Sequence, residues 1–555
     1  MNYQVTKPRP KETDNTANPD DPTTWTVAPG RGTDKATTKR PSLTAEELQR
    51  LGAIPPTRVV NGLRVVEKQK IVILSKEEIE GLKSARVNGK DATVEVVRVS
   101  DCPNPVGEYG KADGPLNFTV LLRFNELTAE EVASGRVEGA GAEPTQANNF
   151  LLNDNPPPQK PSPPIDDDDT VDALEESDFH STDPKDISEY PEQSQTVVAV
   201  LDSGAKYDLA NRPNTGLYEY TDRKGIKRKL ELVRGKATCG SNGNNIGYCG
   251  VGTYLMPPQP LPPPLGVLSG LSARQICDSA FDDTSGRHGT QVTAIINQES
   301  GDGIGVLPVK AFNWAGFAQL FDILVTLNYV LEQKKNGVPI LVLNASWSGS
   351  VDDSGRILLF NKFKQLEKAG IIVVAAAGNQ GIDLGGSATK PLYPALFSTE
   401  LSNVITVTSV EPTLRITALD PLGRAADHVA EAIAGDGKEN ILDHLGLDSA
   451  LFNLLIRGYK VVGNYSKEYV SVGVFGRRWH GYNSPFHRNT PLKARTSFAA
   501  AYVSGQVAQY LQDRGITPTG DTIEKDRDAI IHDLTRRERS LDRTIKGGRL
   551  LTVNE

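Results

Sequence analysis

The chain has 555 residues, of which 38% are hydrophobic and 23% charged, and its 61 basic and 69 acidic side chains leave a formal net charge of −8. This length allows several domains with at least one large core, and the acidic surplus argues against a protein built around nucleic acid or an anionic membrane. The polar start has no apolar signal core and no apolar run could span a bilayer, so we expect a cytoplasmic protein, with unconventional secretion left open.

Residues 1–57 are expected to be mostly disordered, because Thr, Pro, Asn, Asp and Lys dominate them without apolar periodicity. One short helix is predicted near their end, where Thr44 and Glu47 have capping-box spacing and Gly52 stops the pattern.

Residues 58–152 are predicted to form a small N-terminal module of α+β or β-sandwich type. A helix is expected to open at Ser75, because Glu78 completes a capping box. Three runs have strand-like patterns: Lys70–Leu74, Thr93–Val99 and Phe118–Phe124. The module contains no cluster of nucleophile, base or metal ligands, so its sequence does not indicate any chemistry.

An acidic, proline-rich segment at residues 153–192 divides the chain. It holds 13 Asp and Glu residues against two lysines, a net charge of −11, so the other 515 residues sum to +3. Prolines at 156–164 stiffen this segment, and its charges repel one another. We interpret it as a linker.

Residues 193–555 have apolar runs without alternation, separated by helical patterns. Leu320, Leu324, Leu327 and Leu331 mark one face of such a helix. Four runs predict strands: Thr196–Leu201, Ile340–Asn344, Ile371–Ala376 and Val404–Thr408. This pattern predicts an α/β domain with a mostly parallel sheet, in which functional groups gather beyond the carboxyl ends of the strands.

Three motifs follow one another in this domain. Asp202 ends the first strand and Gly204 turns the chain, although an Asp there is as often only a turn residue. His288 opens an apolar helix beside two glycines, and a helix-capping histidine is the alternative interpretation. Ser497 begins a helix lined by small residues, which places its hydroxyl at the positive end of the helix dipole.

The order Asp202, His288, Ser497, with spacings of 86 and 209 residues, resembles the subtilisin-like serine protease family, the subtilases. Asn344–Gly349 resembles the family's substrate-binding strand and Ala375–Asn379 its oxyanion segment, and residues 393–395 and 403–407 resemble its next loop and strand. The resemblance implies a subtilisin-like three-layer domain and a serine-type endopeptidase that works through an acyl-enzyme.

The resemblance also implies a role for each site residue. Ser497 attacks the carbonyl carbon, His288 takes its proton and passes it to the leaving amine, and Asp202 orients the imidazole. The side-chain amide of Asn379 and the backbone N–H of Ser497 form the oxyanion hole. Substrate contacts are expected from four residues: Ser346, Trp347, Ser348 and Gly349.

Arg495, Ala501 and Tyr502 depart from the family pattern, which has glycine before the Thr-Ser pair and proline and histidine after the serine. None of them removes a catalytic group, but together they keep a catalytically degenerate, subtilase-fold binding protein as the alternative function. Phe498 replaces a common methionine, which either ordinary packing or resistance to oxidation explains.

Two insertions are expected at about 206–280 and 411–460. The first carries a proline-rich run at 256–265 and either lengthens a loop or lines the rim of the cleft. The second has a helical pattern and either packs on the domain or covers the cleft. Cys239 and Cys249 either pair in an oxidising compartment or remain thiols, which the small number of cysteines favours.

The predicted chemistry requires no cofactor. Calcium is common in the family, but no Asp-rich loop assigns its ligands, and His480 and His487 lack the further ligands of a metal site. The expected partner is a protein or peptide substrate, not nucleic acid or a membrane. Residues 1–190 either restrain the protease as an intramolecular inhibitor, which family precedent favours, or recruit a substrate or a partner.

Overall fold

The structure is a computed structural model that describes most of the N-terminal module and of the predicted protease domain. The described residues are 49, 54–105, 116–138, 145–153, 195–205, 219–221, 227–229, 231–239, 246–251, 280, 282, 288–313, 315–386, 390–414, 456–475 and 495–552. Five predicted features lie wholly or almost wholly outside them: the helix near Thr44, the linker beyond Asn153, the proline-rich run at 256–265, most of both insertions and the histidines at 480 and 487.

The N-terminal module is an antiparallel sheet with two short helices. Its elements are β1 (Thr57–Val60), β2 (Leu63–Ser75), α1 (Lys76–Gly81), β3 (Ser84–Val87), β4 (Lys90–Val99), β5 (Asn117–Phe124), α2 (Ala129–Ser134) and β6 (Gln146–Asn153). The sheet order is β6-β2-β5-β4-β3, with β1 on β2. The capping box at Ser75 and Glu78 and all three predicted strands are confirmed, and the module is α+β rather than a sandwich.

Both faces of the sheet are buried along β2, β5 and β6, whereas β3 and the first half of β4 expose one face to solvent. Val72, Val120 and Phe124 on one face pack with Val132 of α2 in the module's own core. The alternate residues of β2, β5 and β6 on the other face belong to the large core of the second domain, and they include Ile71, Leu121, Phe150 and Leu152. Because successive strand residues face opposite sides, one short sheet serves two cores.

The second domain has a mostly parallel sheet covered by helices. Its helices are α3 (His288–Glu299), α4 (Leu320–Lys335), α5 (Asp353–Lys368), α6 (Thr496–Asp513) and α7 (Ile523–Leu534). Its strands are β7 (Thr196–Asp202), β8 (Glu219–Thr221), β9 (Lys227–Lys229), β10 (Tyr248–Cys249), β11 (Ile304–Lys310), β12 (Phe317–Gln319), β13 (Ile340–Ala345), β14 (Ile372–Ala376), β15 (Val404–Leu414), β16 (Ile456–Val461), β17 (Val472–Phe475), β18 (Arg536–Arg537) and β19 (Arg549–Thr552).

The main sheet has the order β10-β11-β7-β13-β14-β15-β17-β19-β18, and all its neighbours are parallel except β19 and β18. Val197, Ala199 and Leu201 of β7 face the core that contains α4 and α5, whereas Val198 and Val200 face α3 and α6. The predicted α/β fold with helices on both faces is therefore confirmed. The four predicted strands form β7, β13, β14 and β15.

A disulfide joins the two parts of the chain. Cys102 of the module is bonded to Cys239 of the second domain, and their Cα atoms are 5.0 Å apart. The expectation that Cys239 either pairs with Cys249 or remains a thiol is therefore wrong. Its partner lies 137 positions earlier in the sequence, so only the packing of the two domains brings the sulfur atoms together. No helix among the described residues combines the length and apolar character needed to cross a bilayer.

Candidate active site

Asp202 and His288 meet where β7 ends and α3 begins. The Nδ1 atom of His288 lies 2.9 Å from Oδ1 of Asp202, whose side chain is 1% exposed. An ionised carboxylate only accepts hydrogen bonds, so Nδ1 donates in this contact, and in the neutral ring the lone pair lies on Nε2. The same carboxylate oxygen accepts the backbone N–H of Ser203 at 2.7 Å.

Two glycines allow α3 to start this close to the strand end. Gly204 has a φ of +104°, in the region that favours glycine. A Cβ atom on Gly289 would lie 2.1 Å from the carbonyl oxygen of Gly204, so no larger residue fits there. The N–H of Gly289 also donates to the hydroxyl of Ser203 at 2.9 Å. Gly289, which follows His288 in the motif, thus sets the approach of helix to strand together with Gly204; the other glycine of the motif, Gly286, lies outside the described residues.

Ser497 is the second residue of α6 and is almost buried. The ring of its neighbour Phe498 stacks on the His288 ring with centroids 5.9 Å apart, so the start of α6 lies beside the imidazole. The hydroxyl of Ser346 donates to the carbonyl oxygen of Ser497 at 2.8 Å. The structure therefore brings Asp202 and His288 into contact and places the helix start that carries Ser497 next to them.

Asn379 follows β14 and is oriented by the first residue of α6. Its Oδ1 accepts the backbone N–H of Thr496 at 2.9 Å and the Thr496 hydroxyl at 3.0 Å. Because the oxygen is held in this way, both hydrogens of the Asn379 amide remain to donate elsewhere. Gly378 before it has a φ of +96°, which explains why the Ala-Ala-Ala-Gly-Asn segment needs a glycine there.

The family profile described as "Subtilase family" matches residues 193–545. The chain belongs to the subtilase family. The predicted subtilisin-like fold is confirmed by this match together with the three-layer arrangement. Among curated proteins, none matches the sequence significantly.

Several solved structures are similar to this subtilase. They include fervidolysin from Fervidobacterium pennivorans, a keratinolytic enzyme related to subtilisin, with 14% identity and a TM-score of 0.42 over 91% of this chain and 62% of that one. A cold-adapted subtilisin-like serine proteinase has 14% identity and a TM-score of 0.34 over 66% and 91% of the two chains. The A-subunit of the AB5 toxin from E. coli has 15% identity and a TM-score of 0.32 over 66% and 92%. The chain thus spans about 62% of the length of fervidolysin.

Sequence reasoning missed a buried aspartate that supports the subtilase histidine helix. Asp282 is fully buried and accepts hydrogen bonds from the Ser203 hydroxyl at 3.1 Å, and from the N–H and hydroxyl of Thr290 at 2.9 and 2.7 Å. It therefore joins the residue after Asp202 to the first turn of α3. Its position six residues before His288 was the available signal, but an isolated Asp has many ordinary roles.

A second missed residue is Asn464, which is buried beneath the oxyanion segment. Its Nδ2 donates to the carbonyl oxygen of Ala377 at 2.8 Å and to Oε1 of Gln380 at 2.6 Å. Its Oδ1 accepts the N–H of Ile382 at 3.2 Å. Asn464 thus holds the backbone on both sides of Asn379. No sequence signal could have found it, because 85 residues separate the two.

The four predicted substrate-binding residues have different surroundings. Ser346 is buried, and its hydroxyl is used within the domain. Trp347 is 1% exposed with its ring 6.1 Å from that of Phe312, so it belongs to the core. Ser348 is buried, and Gly349 exchanges two backbone hydrogen bonds with Tyr393 at 2.9 and 2.8 Å. Their role in substrate binding stays a prediction.

The last strand of the N-terminal module lies on this segment. Strand β6 pairs antiparallel with β12 in the register Leu151 with Gln319, Leu152 with Ala318 and Asn153 with Phe317. A Cβ atom on Gly349 would lie 2.6 Å from Cδ2 of Leu152, so that leucine covers the glycine directly. The module thus contacts both β12 and the predicted substrate-binding segment.

Polar contacts fix the module at the start of α4. Asn149 is fully buried, its Oδ1 accepts the N–H of Phe321 at 3.2 Å and its Nδ2 donates to Gln319. Arg98 pairs with the buried carboxylate of Asp322 at 2.8 Å, and its guanidinium lies 5.0 Å from the centre of the Phe321 ring. These contacts satisfy helix-terminal groups that would otherwise need water or other caps.

Burial at the interface shifts two ionisable groups. It lowers the pKa of Lys70 to about 8, an effect that the charge of Asp352 at the start of α5 partly opposes. Burial also raises the pKa of Tyr248 well above its usual value, with the neighbouring Asp101 acting in the same direction. The Tyr248 hydroxyl is 2.6 Å from the Asp101 carboxylate. Among the described residues, no group of three or more His, Cys, Asp or Glu side chains is placed to hold a metal ion.

Proposed function

We propose that this subtilase is a serine endopeptidase that hydrolyses peptide bonds through an acyl-enzyme, and that its N-terminal module restrains it. The observation that carries the first part is the hydrogen bond between Asp202 and His288 beside the helix start that bears Ser497. Membership of the subtilase family supports the same chemistry.

In the proposed mechanism, Nε2 of His288 takes the proton of the Ser497 hydroxyl as its oxygen attacks the substrate carbonyl carbon. The ring becomes an imidazolium, which the buried carboxylate of Asp202 stabilises through the existing Nδ1–H hydrogen bond. Collapse of the tetrahedral intermediate breaks the peptide bond, and Nε2 gives its proton to the leaving amine. Water then attacks the acyl-enzyme while His288 takes its proton, and collapse of the second tetrahedral intermediate releases the acid product and returns the proton to Ser497.

The oxyanion of each tetrahedral intermediate requires donors that are already in position. The Asn379 amide has its oxygen held by Thr496, which leaves its N–H groups to donate. The backbone N–H of Ser497 lies in the first turn of α6, where no intrahelical acceptor exists. The positive end of the α6 dipole adds a favourable potential at the same place.

The proposed restraint follows from the position of β6. Extended peptides bind many proteins by adding a strand to an exposed sheet edge. In this chain β6 already pairs with β12, and Leu152 covers Gly349. A substrate that uses this edge and this glycine has to displace the module. Occupation of the predicted substrate segment favours restraint over recruitment, because a recruiting module would leave that segment open.

A fluorogenic peptide library tests both parts of the proposal. We compare the full chain with Leu152→Glu, which places a charge at the buried contact with Gly349, and with Val59→Glu as a control at an exposed module residue. Burying a leucine is worth about 1.5–3 kcal/mol, so Leu152→Glu should raise hydrolysis roughly 10- to 100-fold. Val59→Glu should match the parent, and adding Ser497→Ala should abolish every rate.

The two parts fail in different ways. Equal rates for the parent and Leu152→Glu, with both rates dependent on Ser497, would reject restraint and keep the protease. Absence of Ser497-dependent hydrolysis in every folded variant would reject the protease and favour the degenerate binding protein. Circular dichroism of each variant establishes that it is folded.

A further inference from the structure

The disulfide between Cys102 and Cys239 is a second covalent connection between the N-terminal module and the subtilase domain. The first is the backbone itself, which runs from Asn153 through the acidic linker to Gln195. Cys102 lies just after β4, and Cys239 lies between β9 and β10. One cut in the linker would therefore leave the disulfide as the only covalent tie between the two parts.

We propose that this disulfide is a redox latch: it keeps the module on the subtilase domain after the linker is cut, and its reduction by a dithiol releases the module. The consequence for activity rests on the proposed restraint, whereas retention and release do not. Linker cleavage and reduction are then two separate conditions for freeing the site.

The latch lies among polar contacts between the module and the subtilase domain. Arg98 pairs with Asp322 at 2.8 Å, and the Tyr248 hydroxyl lies 2.6 Å from the carboxylate of Asp101 next to Cys102. Two residues later, Asn104 Oδ1 accepts the ammonium group of the fully buried Lys362 at 2.7 Å. These contacts order the segment that bears Cys102. The segment that bears Cys239 is ordered by Gln333 of α4, whose Nε2 donates to the carbonyl oxygen of Lys236 at 2.9 Å and to the Thr238 hydroxyl at 2.8 Å. The packed interface therefore holds the two sulfur atoms in bonding position.

These contacts also make release reversible once the bond is reduced. Asp322 and Lys362 are buried charged groups that become hydrated again when the module leaves. This hydration offsets part of the binding free energy that their contacts with the module contribute. The interface also buries apolar residues of β2, β5 and β6, and once no covalent bond spans it, the bound module is in equilibrium with the released one. A covalently tethered module, in contrast, has an effective concentration on the order of millimolar. At nanomolar protein concentration, removing the tether therefore lowers the fraction of subtilase domains that have the module bound.

The two sulfur atoms differ in access. Cys102 is 2% exposed, whereas Cys239 is only partly buried. A thiolate of the reducing dithiol attacks the Cys239 sulfur, and the Cys102 sulfur leaves as a thiolate and takes a proton. The second thiol of the reductant then closes on the mixed disulfide and releases Cys239. Two electrons and two protons pass from the dithiol to the cysteines, and the dithiol becomes a cyclic disulfide.

Retention is tested without any catalytic activity. A recognition sequence for an exogenous, site-specific protease is inserted in the linker of the full-length Ser497→Ala chain, which is then cut. In non-reducing denaturing electrophoresis, the two fragments should run as one species and should separate with dithiothreitol. Cys102→Ser and Cys239→Ser should separate without reductant, and the matched variant Cys249→Ser should behave like the parent. Two fragments from the non-reduced parent would overturn the latch.

Release is tested on the same cut protein under native conditions. At about 10 nM, far below a tethered module's effective concentration, size-exclusion chromatography should give one peak before dithiothreitol and two after it. Fluorophosphonate labelling of the corresponding protein with Ser497 intact should rise at least tenfold on reduction. Continued co-elution after reduction would overturn the latch. Release without any rise in labelling would leave the latch standing and reject the proposed restraint.

Discussion

Replacing Asn379 by leucine removes the side-chain amide that the proposed mechanism assigns to the oxyanion. In the structure the oxygen of this amide accepts two hydrogen bonds from Thr496, at 2.9 and 3.0 Å. The donor hydrogens are needed when the carbonyl oxygen becomes negative, not when the substrate binds. We therefore expect Asn379→Leu to lower kcat and leave KM nearly unchanged.

The contacts of Asn379 also predict how the loss of kcat differs among three variants. Losing one oxyanion donor costs about 100- to 1000-fold in kcat, or about 2.7–4 kcal/mol, a magnitude known from a member of the same family. Asn379→Asp keeps the acceptor for Thr496 but places a negative charge near the oxyanion, so it should lose at least as much. Thr496→Val removes one of the two bonds that orient the amide, which is worth about 1 kcal/mol or roughly fivefold.

The assay is steady-state hydrolysis of a fluorogenic peptide, with all variants made in the Leu152→Glu background so that restraint affects each equally. Titration with a fluorophosphonate normalises each rate to the concentration of reactive serine. A kcat loss below about tenfold for Asn379→Leu, well under the range for an oxyanion donor, would show that the Asn379 amide does not stabilise the oxyanion. A higher KM with an unchanged kcat would assign Asn379 to substrate binding instead.

Three further predictions concern the interface and the oxyanion segment. Arg98→Met leaves the buried carboxylate of Asp322 without its guanidinium and should lower the free energy of unfolding by about 3 kcal/mol in chemical denaturation; a change below about 0.5 kcal/mol, as for an exposed pair, would contradict this. The pKa of Lys70 is lowered to about 8 by burial, so the unfolded chain binds more protons between that pKa and the ordinary lysine value. Lys70→Met should therefore stabilise the protein by up to about 3 kcal/mol at pH 7, and the gain should shrink as pH rises through 8 towards 10; a gain independent of pH would refute this cause. Gly378→Ala strains a φ of +96° and brings a Cβ atom within 2.6 Å of Asn464 Nδ2, so kcat should fall while Gly381→Ala, with a positive φ but open space, should change it far less.

The sequence predicted the parts of the fold that depend on local pattern. The apolar runs ending at Asp202 and around Ile340 are parallel strands, because only strands buried on both faces lack alternation. The capping box at Ser75 and Glu78 was also predictable, because its hydrogen bonds join residues only three positions apart in the sequence. The Asp202–His288 contact was predictable only through the family resemblance, because nothing local relates residues 86 positions apart.

The remaining features depend on contacts between distant segments. Two contacts form only when the two domains are packed together: the disulfide of Cys102 with Cys239 and the pairing of β6 with β12. No local sequence pattern indicates either of them. Asn464 supports the oxyanion segment from a loop far along the chain. Buried polar residues of this kind have no period and no motif, so composition and spacing do not indicate them.

The proposed mechanism requires Ser497 to be a nucleophile activated by His288. Intact-mass spectrometry after treatment with a fluorophosphonate measures this directly, in the full chain carrying Leu152→Glu. We predict one adduct per chain, located on Ser497 by peptide mapping, absent in Ser497→Ala and formed at least about 100-fold more slowly in His288→Ala, as expected for loss of a general base. An unmodified but folded protein, or an adduct that persists in Ser497→Ala, would contradict it.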